Sequence, residues 1–206
     1  MLKELFEGTF YWTFPKKTDT VVNIQEKLYS GVFSLYDPIA CGSCRICQSD
    51  ESQRRNFLIS TQSPMSVISV SQVVSYVQDS IGKNCDYMMA NMKTVCFIEM
   101  TCSEPEYVDR YETGKRMTAK TQLSNTTSIF MSNPNVRAFI DGKDNRMAVF
   151  SWKDTSYPND TNDMIEKGFE VFSEIAKDLR LDKNELYING FLFKEIIYPE
   201  VLVIGN

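Results

Sequence analysis

The sequence predicts a mixed α/β (α+β) fold, with a central mixed sheet flanked by helices in a single domain over 1–206. Residues 84–102, "NCDYMMANMKTVCFIEMTC", read as two short strands joined by a turn, and the second is apolar on both faces. Helix-periodic stretches alternate with strand-like runs along the chain. At 206 residues, 43% of them hydrophobic and 12% aromatic, the chain can bury a sizeable core.

The N-terminal forty residues mix aromatic runs such as "FYWTF" with "VNIQEKLYSG", which predicts a short helix closed by Gly31. A polar, Cys-rich loop follows at about 37–55. Val67, Val70, Val73, Val74, Val77 and Ile81 recur at helical spacing, predicting a helix over 66–81 with Ser66 as N-cap and Gly82 as its stop. In "KTVCFIEMTC", alternation puts Val95, Phe97, Glu99 and Thr101 on one face and Cys96, Ile98, Met100 and Cys102 on the other. Glu99 is the lone carboxylate of that strand. It is either a solvated strand position or one member of a site, because a buried carboxylate is costly unless paired or metal-bound.

A helix is predicted over 112–131, with Ala119, Leu123, Thr126 and Phe130 on its apolar stripe and Lys115, Arg116 and Lys120 within two turns. Pro134 ends it, and "NVRAFIDGKDNRMAVFSW" reads as a hairpin around Gly142. Ile165, Phe169, Phe172, Ala176 and Leu179 predict a third helix over 162–180, and "ELYINGFLFKEIIYPEVLVI" closes the chain as strands. The extension 153–206 is acidic. Residues 151–206 hold 6 Lys+Arg against 11 Asp+Glu, so they carry the net charge of −5, while residues 1–150 balance at 16 against 16.

The chain contains no histidine, which excludes Ser-His-Asp and Cys-His hydrolases and the HExxH zinc proteases. Acid–base chemistry would fall to carboxylates, lysine, tyrosine, cysteine or metal-bound water. No region has the basic excess of a dedicated nucleic-acid binder. No run of 18 apolar residues predicts a membrane span, and the first residues lack a signal-peptide layout, so the expected location is cytoplasmic, with no membrane partner.

Metal-dependent phosphodiester hydrolysis needs hard oxygen ligands for Mg²⁺ and a nearby group to orient water. Asp86 and Glu99 fall on the two predicted strands, and "CDYMM", "FIEMT" and "KTQL" follow in that order. Over about 66–152 this resembles the PD-(D/E)XK, or restriction-endonuclease-like, nuclease superfamily. The resemblance implies Asp86 and Glu99 as Mg²⁺ ligands and Gln122 as the helix glutamine that orients. It departs at the motif lysine, where Thr101 stands, so the family role passes to Lys120 on the following helix or is lost. Glu26 is a remote match for the family's accessory glutamate. The implied function is metal-dependent nucleic-acid cleavage, or nucleic-acid engagement without it, in a defence or mobile-element complex. Against it stand a solvated helix face for Lys115, Arg116 and Lys120, and a plain paired carboxylate for Glu99.

"CGSCRIC" places Cys41, Cys44 and Cys47 at a spacing that lets thiolates share Zn²⁺ or an iron–sulfur cluster, with Cys85, Cys96, Cys102 or Asp50 as the fourth ligand. The competing readings are reduced thiols, a redox switch and, last for an intracellular chain, disulfides. A rival function is a non-catalytic assembly subunit, stabilised by Cys-bound zinc, whose acidic C-terminal region binds a protein partner. If the thiols bind metal, folding and occupancy are linked. Elemental analysis of protein purified without chelator then shows zinc or iron at about one equivalent. Metal-free protein with an unchanged melting temperature leaves them as ordinary thiols.

Overall fold

The computed structural model describes residues 1–17, 21–36, 45–48, 57–79, 81–110, 113–153 and 186–205. The helix predicted over 162–180, and Cys41 and Cys44, lie outside them. Three helical pieces run end to end at the start: α1 (Leu2–Leu5), a π-helical turn (Phe6–Phe10) and α2 (Tyr11–Thr13). Then come β1 (Lys27–Tyr36), β2 (Arg45–Gln48), β3 (Phe57–Ser69) and α3 (Val70–Ser75). The hairpin β4 (Tyr87–Ala90) and β5 (Thr94–Cys102) leads through α4 (Pro105–Asp109), α5 (Lys115–Ser132) and α6 (Pro134–Asp141) to β6 (Asn145–Lys153). β7 (Tyr187–Ile188), β8 (Phe191–Ile197) and β9 (Val201–Ile204) follow.

These strands form one mixed sheet in the order β2-β1-β3-β4-β5-β6-β8-β7, with β9 beside β3. β5, β6 and β8 run parallel, and α5 with α6 supplies the crossover that a parallel β5–β6 pair requires. β3 belongs to two layers. Leu58–Thr61 pair with β9, whereas Ser66–Ser69 pair with β4. The sheet therefore folds back over itself. Phe33, Leu35, Phe57, Ile59, Leu202 and Ile204 of the second layer pack on Tyr87, Met89, Cys96, Ile98, Met100 and Val149 of the central strands. On the opposite face Met88, Phe97, Ala148 and Phe150 pack against Phe6, Phe10, Leu123 and Phe130 of the helix layer. Covered on both sides, β5 is the central strand its two apolar faces predict.

Three expected elements differ. The helix predicted over "VNIQEKLYSG" is an extended lead into β1. Within β1 Phe33, Ser34 and Leu35 are buried and Val32 is exposed. Gly31, at φ 74°, sits where the β1–β3 register shifts, so it serves a bulge and not a helix stop. The valine-rich stretch stays extended to Ser69 and turns helical only over Val70–Ser75. Its β-branched side chains favour the sheet until the edge of β4 is reached. Ser66 consequently lies inside β3, hydrogen-bonded to Glu26 and capping nothing.

The hairpin expected around Gly142 is instead α6 followed by β6. Pro134 both stops α5 and starts α6 at the first helical position, where its missing N–H costs nothing. Asn133 makes the restart possible. Its Oδ1 accepts from the N–H groups of Asn135 (3.1 Å) and Val136 (3.0 Å). Its Nδ2 donates to Thr9 O (3.0 Å) and Thr13 Oγ1 (2.8 Å), tying α6 to the N-terminal helices. Asn133→Ala should cost about 2 kcal/mol, a lost cap plus stranded buried partners. Asn133→Ser keeps the cap alone and should cost about half of that. Urea unfolding midpoints separate the two.

Candidate functional site

In an open α/β sheet, ligands gather at the carboxyl ends of parallel strands. Here those ends belong to β5, β6 and β8, beneath the first half of α5. Register sets Glu99 beside Phe150 and Phe150 beside Glu195, and one pleat further on Thr101, Trp152 and Ile197 stand in a row. Both rows face the helix layer.

Asp86 lies immediately before β4. Its N–H donates to Ile98 O (2.9 Å), its carbonyl accepts from Val70 N–H (2.9 Å), and its Oδ2 accepts from Met100 N–H (2.8 Å). The carboxylate thus continues the ladder where the β4 backbone leaves it. Tyr87 pairs with Ile98, so Asp86, one residue before β4, lies opposite Glu99 of β5. The fully buried Cys85 thiol registers both. Burial pushes its pKa well up, and the charges of Glu99 and Asp86 push it further.

The segment that carries Cys85 and leads into Asp86 is held by α5. Gln122 Nε2 donates to Asn84 O (2.9 Å), Thr126 Oγ1 accepts from Cys85 N–H (2.9 Å), and Asn125 Nδ2 donates to Ile81 O (3.0 Å) and Lys83 O (2.7 Å). Gln122 is therefore a positioning residue acting on the Asn84 main chain. Asn84 Oδ1 is enclosed and accepts no hydrogen bond among the described residues. Asp86 and Glu99 carry hard oxygen donors of the kind a divalent cation takes, and they are the residues that could hold one here.

Arg116 and Lys120 have partners of their own. Arg116, which the sequence offered only as part of a basic helix face, forks onto Glu195 through Nε–Oε2 and Nη2–Oε1, both 2.7 Å, and also pairs with Asp109. The Glu195 hydrogen bonds raise the Arg116 pKa. Trp152 Nε1 donates to the same Glu195 Oε1 at 2.8 Å. Glu195 escaped the sequence reading. Its signal was the one that marked Glu99, a single acid in an apolar strand, here "FLFKEII".

Lys120 places Nζ 5.2 Å from the centroid of the Phe193 ring on β8. That strand is two strand spacings, about 10 Å, from β5. Thr101 is partly buried beside Trp152. The buried lysine at this end of the sheet is Lys153, in register with Cys102 but on the face opposite Glu99. Its Nζ lies 5.1 Å from the Tyr198 ring centroid, and burial lowers its pKa. Glu26 accepts from the Met1 ammonium (3.0 Å) and from Leu2 N–H (2.8 Å), so it caps α1.

Cys85 and Cys96 are buried free thiols on opposite faces of the sheet, and burial pushes Cys96 up to about 12, so the two cannot share an ion. Cys102 is a partly buried free thiol, and Cys47 falls on β2 opposite Ser34. Among the described residues no group of three or more His, Cys, Asp or Glu side chains is placed to hold a metal, and no helix is long and apolar enough to cross a membrane. No family model, curated protein or solved structure matches the chain.

Arg116→Met strands the Glu195 carboxylate, 24% exposed, and should cost about 2 kcal/mol. The double variant Arg116→Met/Glu195→Leu should recover more than half of that, because neither charge remains unpaired. Urea unfolding followed through tryptophan emission checks both, and an additive double variant contradicts the pairing.

Proposed function

We propose that this chain is a restriction-endonuclease-like protein of the PD-(D/E)XK type that engages nucleic acid at the carboxyl end of β5 without cleaving it. The observation that supports the reading is the register that sets Asp86, one residue before β4, opposite Glu99 of β5, with both acids acting on the Cys85 thiol. The order around them supports it: β3, β4 and β5 as an antiparallel run, then α5 with Gln122, then β6 parallel to β5.

The loss of cleavage follows from where the positive charges go. Phosphoryl transfer needs a cation close to the attacking water and the developing oxyanion. Thr101 occupies the motif position, Lys120 rests on Phe193, and Arg116 is spent on Glu195. A divalent cation bound here would supply the charge that lets a site lined by carboxylates meet a phosphate. Asp86 and Glu99 would hold it, and Gln122 fixes the segment that leads into Asp86.

A second reading, an assembly subunit, is favoured by the outer face of the second layer. Val32 and Val203 flank Ser60 there and are 57% and 71% exposed, next to the partly exposed Val201.

Fluorescence anisotropy and gel assays with single- and double-stranded DNA and RNA, with Mg²⁺ and with chelator, test the proposal. Wild type should bind at least one of these in a Mg²⁺-dependent manner, leave all intact, and lose binding by tenfold or more on Glu99→Ala. Thr101→Lys, which restores Glu-x-Lys, is the variant expected to cleave. Metal-dependent cleavage by wild type that Glu99→Ala abolishes overturns the non-cleaving assignment, and the absence of any binding leaves the assembly reading.

A further inference from the structure

Asn189 and Gly190 form the one Asn-Gly step in the sequence, and they make the two-residue turn between β7 and β8, where Ile188 pairs with Phe191. Asn189 at φ 50° and Gly190 at φ 84° both take the left-handed conformation that such a hairpin turn requires, which is why Asn and Gly stand there. Both residues are exposed. We propose that this turn is a self-modification site, at which Asn189 deamidates and the hairpin loses its hold on α5.

The hold rests on the Asn189 amide. Its Nδ2 lies 2.8 Å from Ser124 O, 3.3 Å from Ser124 Oγ, 2.8 Å from Thr127 Oγ1 and 2.9 Å from Ser128 Oγ. Ser124 O is a main-chain carbonyl, so it needs a donor opposite it. Against this hold, β7 is only two residues long and pairs with β8 alone among the described residues. Short, exposed pairings of this kind open locally for a small fraction of the global unfolding free energy. Opening takes the Asn189 amide off α5.

In the open turn the Gly190 nitrogen attacks Asn189 Cγ. A nitrogen–Cγ bond forms, the Cγ–Nδ2 bond breaks, and Nδ2 leaves as ammonia with the proton that the Gly190 N–H gives up. Glycine favours the attack because no side chain shields its nitrogen, and nothing lies within 4 Å of the position a Cβ would take there. Water then opens the cyclic imide at either carbonyl, leaving aspartate or isoaspartate. Neither product restores the hold. The new carboxylate brings no N–H to Ser124 O and sets its own oxygen against that carbonyl. Isoaspartate also adds a main-chain carbon to a turn whose length fixes the register of the hairpin. The site shares no residue with the Asp86–Glu99 cluster, so either can fail without the other.

Peptide mapping by mass spectrometry of the whole chain, incubated at mildly alkaline pH, tests the proposal. Asn189 should gain the mass of an NH2-to-OH exchange before any other asparagine, as a mixture of aspartate and isoaspartate. Alanine at φ 84° would strain the turn, so Gly190→Ala is compared with wild type in urea, where it should slow conversion about tenfold. Asn189→Asp, which sets the product in place from the start, should lower the melting temperature. Conversion of other asparagines while Asn189 stays intact, or equal rates for Gly190→Ala and wild type in urea, overturns the site. A melting temperature of Asn189→Asp equal to that of wild type overturns the release of the hairpin.

Discussion

The Phe130 ring holds the helix layer to the sheet. It meets Phe6 at 4.9 Å, Phe10 at 5.2 Å and Phe97 at 5.5 Å between centroids, and Phe97 in turn meets Phe191 at 5.4 Å. These rings are buried and come from the N-terminal helices, α5, β5 and β8. Edge-to-face packing adds to area burial, so the cluster fixes α5 in azimuth as well as in height. Everything at the carboxyl ends of the strands depends on that fixing. Gln122, Asn125 and Thr126 grip the segment 81–85 only because α5 presents those three positions to it, and the segment in turn carries Asp86 to Glu99.

Acids in apolar strands find three different resolutions at this end of the sheet. Asp86 substitutes for a backbone acceptor, Glu195 is held by a guanidinium and an indole, and Glu99 lies beside a buried thiol. A charged group entering a low-dielectric region must find such compensation. The arrangement commits Arg116 to Glu195.

β5 and α5 were legible in the sequence because each is bounded by its own residues. β5 is apolar on both faces, and the stripe Ala119, Leu123, Thr126 and Phe130 is buried as its spacing predicts. β1 was not legible, because Val22, Ile24 and Leu28 mimic a helical period while pairing with β3 decides the outcome. α6 was hidden by a proline that ends one helix and begins the next. The order of Asp86, Glu99 and Gln122 could be read along the chain. The Arg116–Glu195 fork joins residues 79 positions apart, and nothing local in either segment announces it.

The two-layer role of β3 has a consequence for synthesis. Ile59 pairs with Leu202, so the strand that completes one edge of β3 emerges from the ribosome long after β3 itself. Until then the β3 segment that awaits β9 carries an open ladder, next to apolar residues such as Phe57 and Ile59 that the second layer will bury. Contacts this distant in sequence form slowly, and an open, apolar strand edge is a template for pairing with another chain. That edge of β3 therefore stays exposed for longer than the packing of the helix layer alone would require.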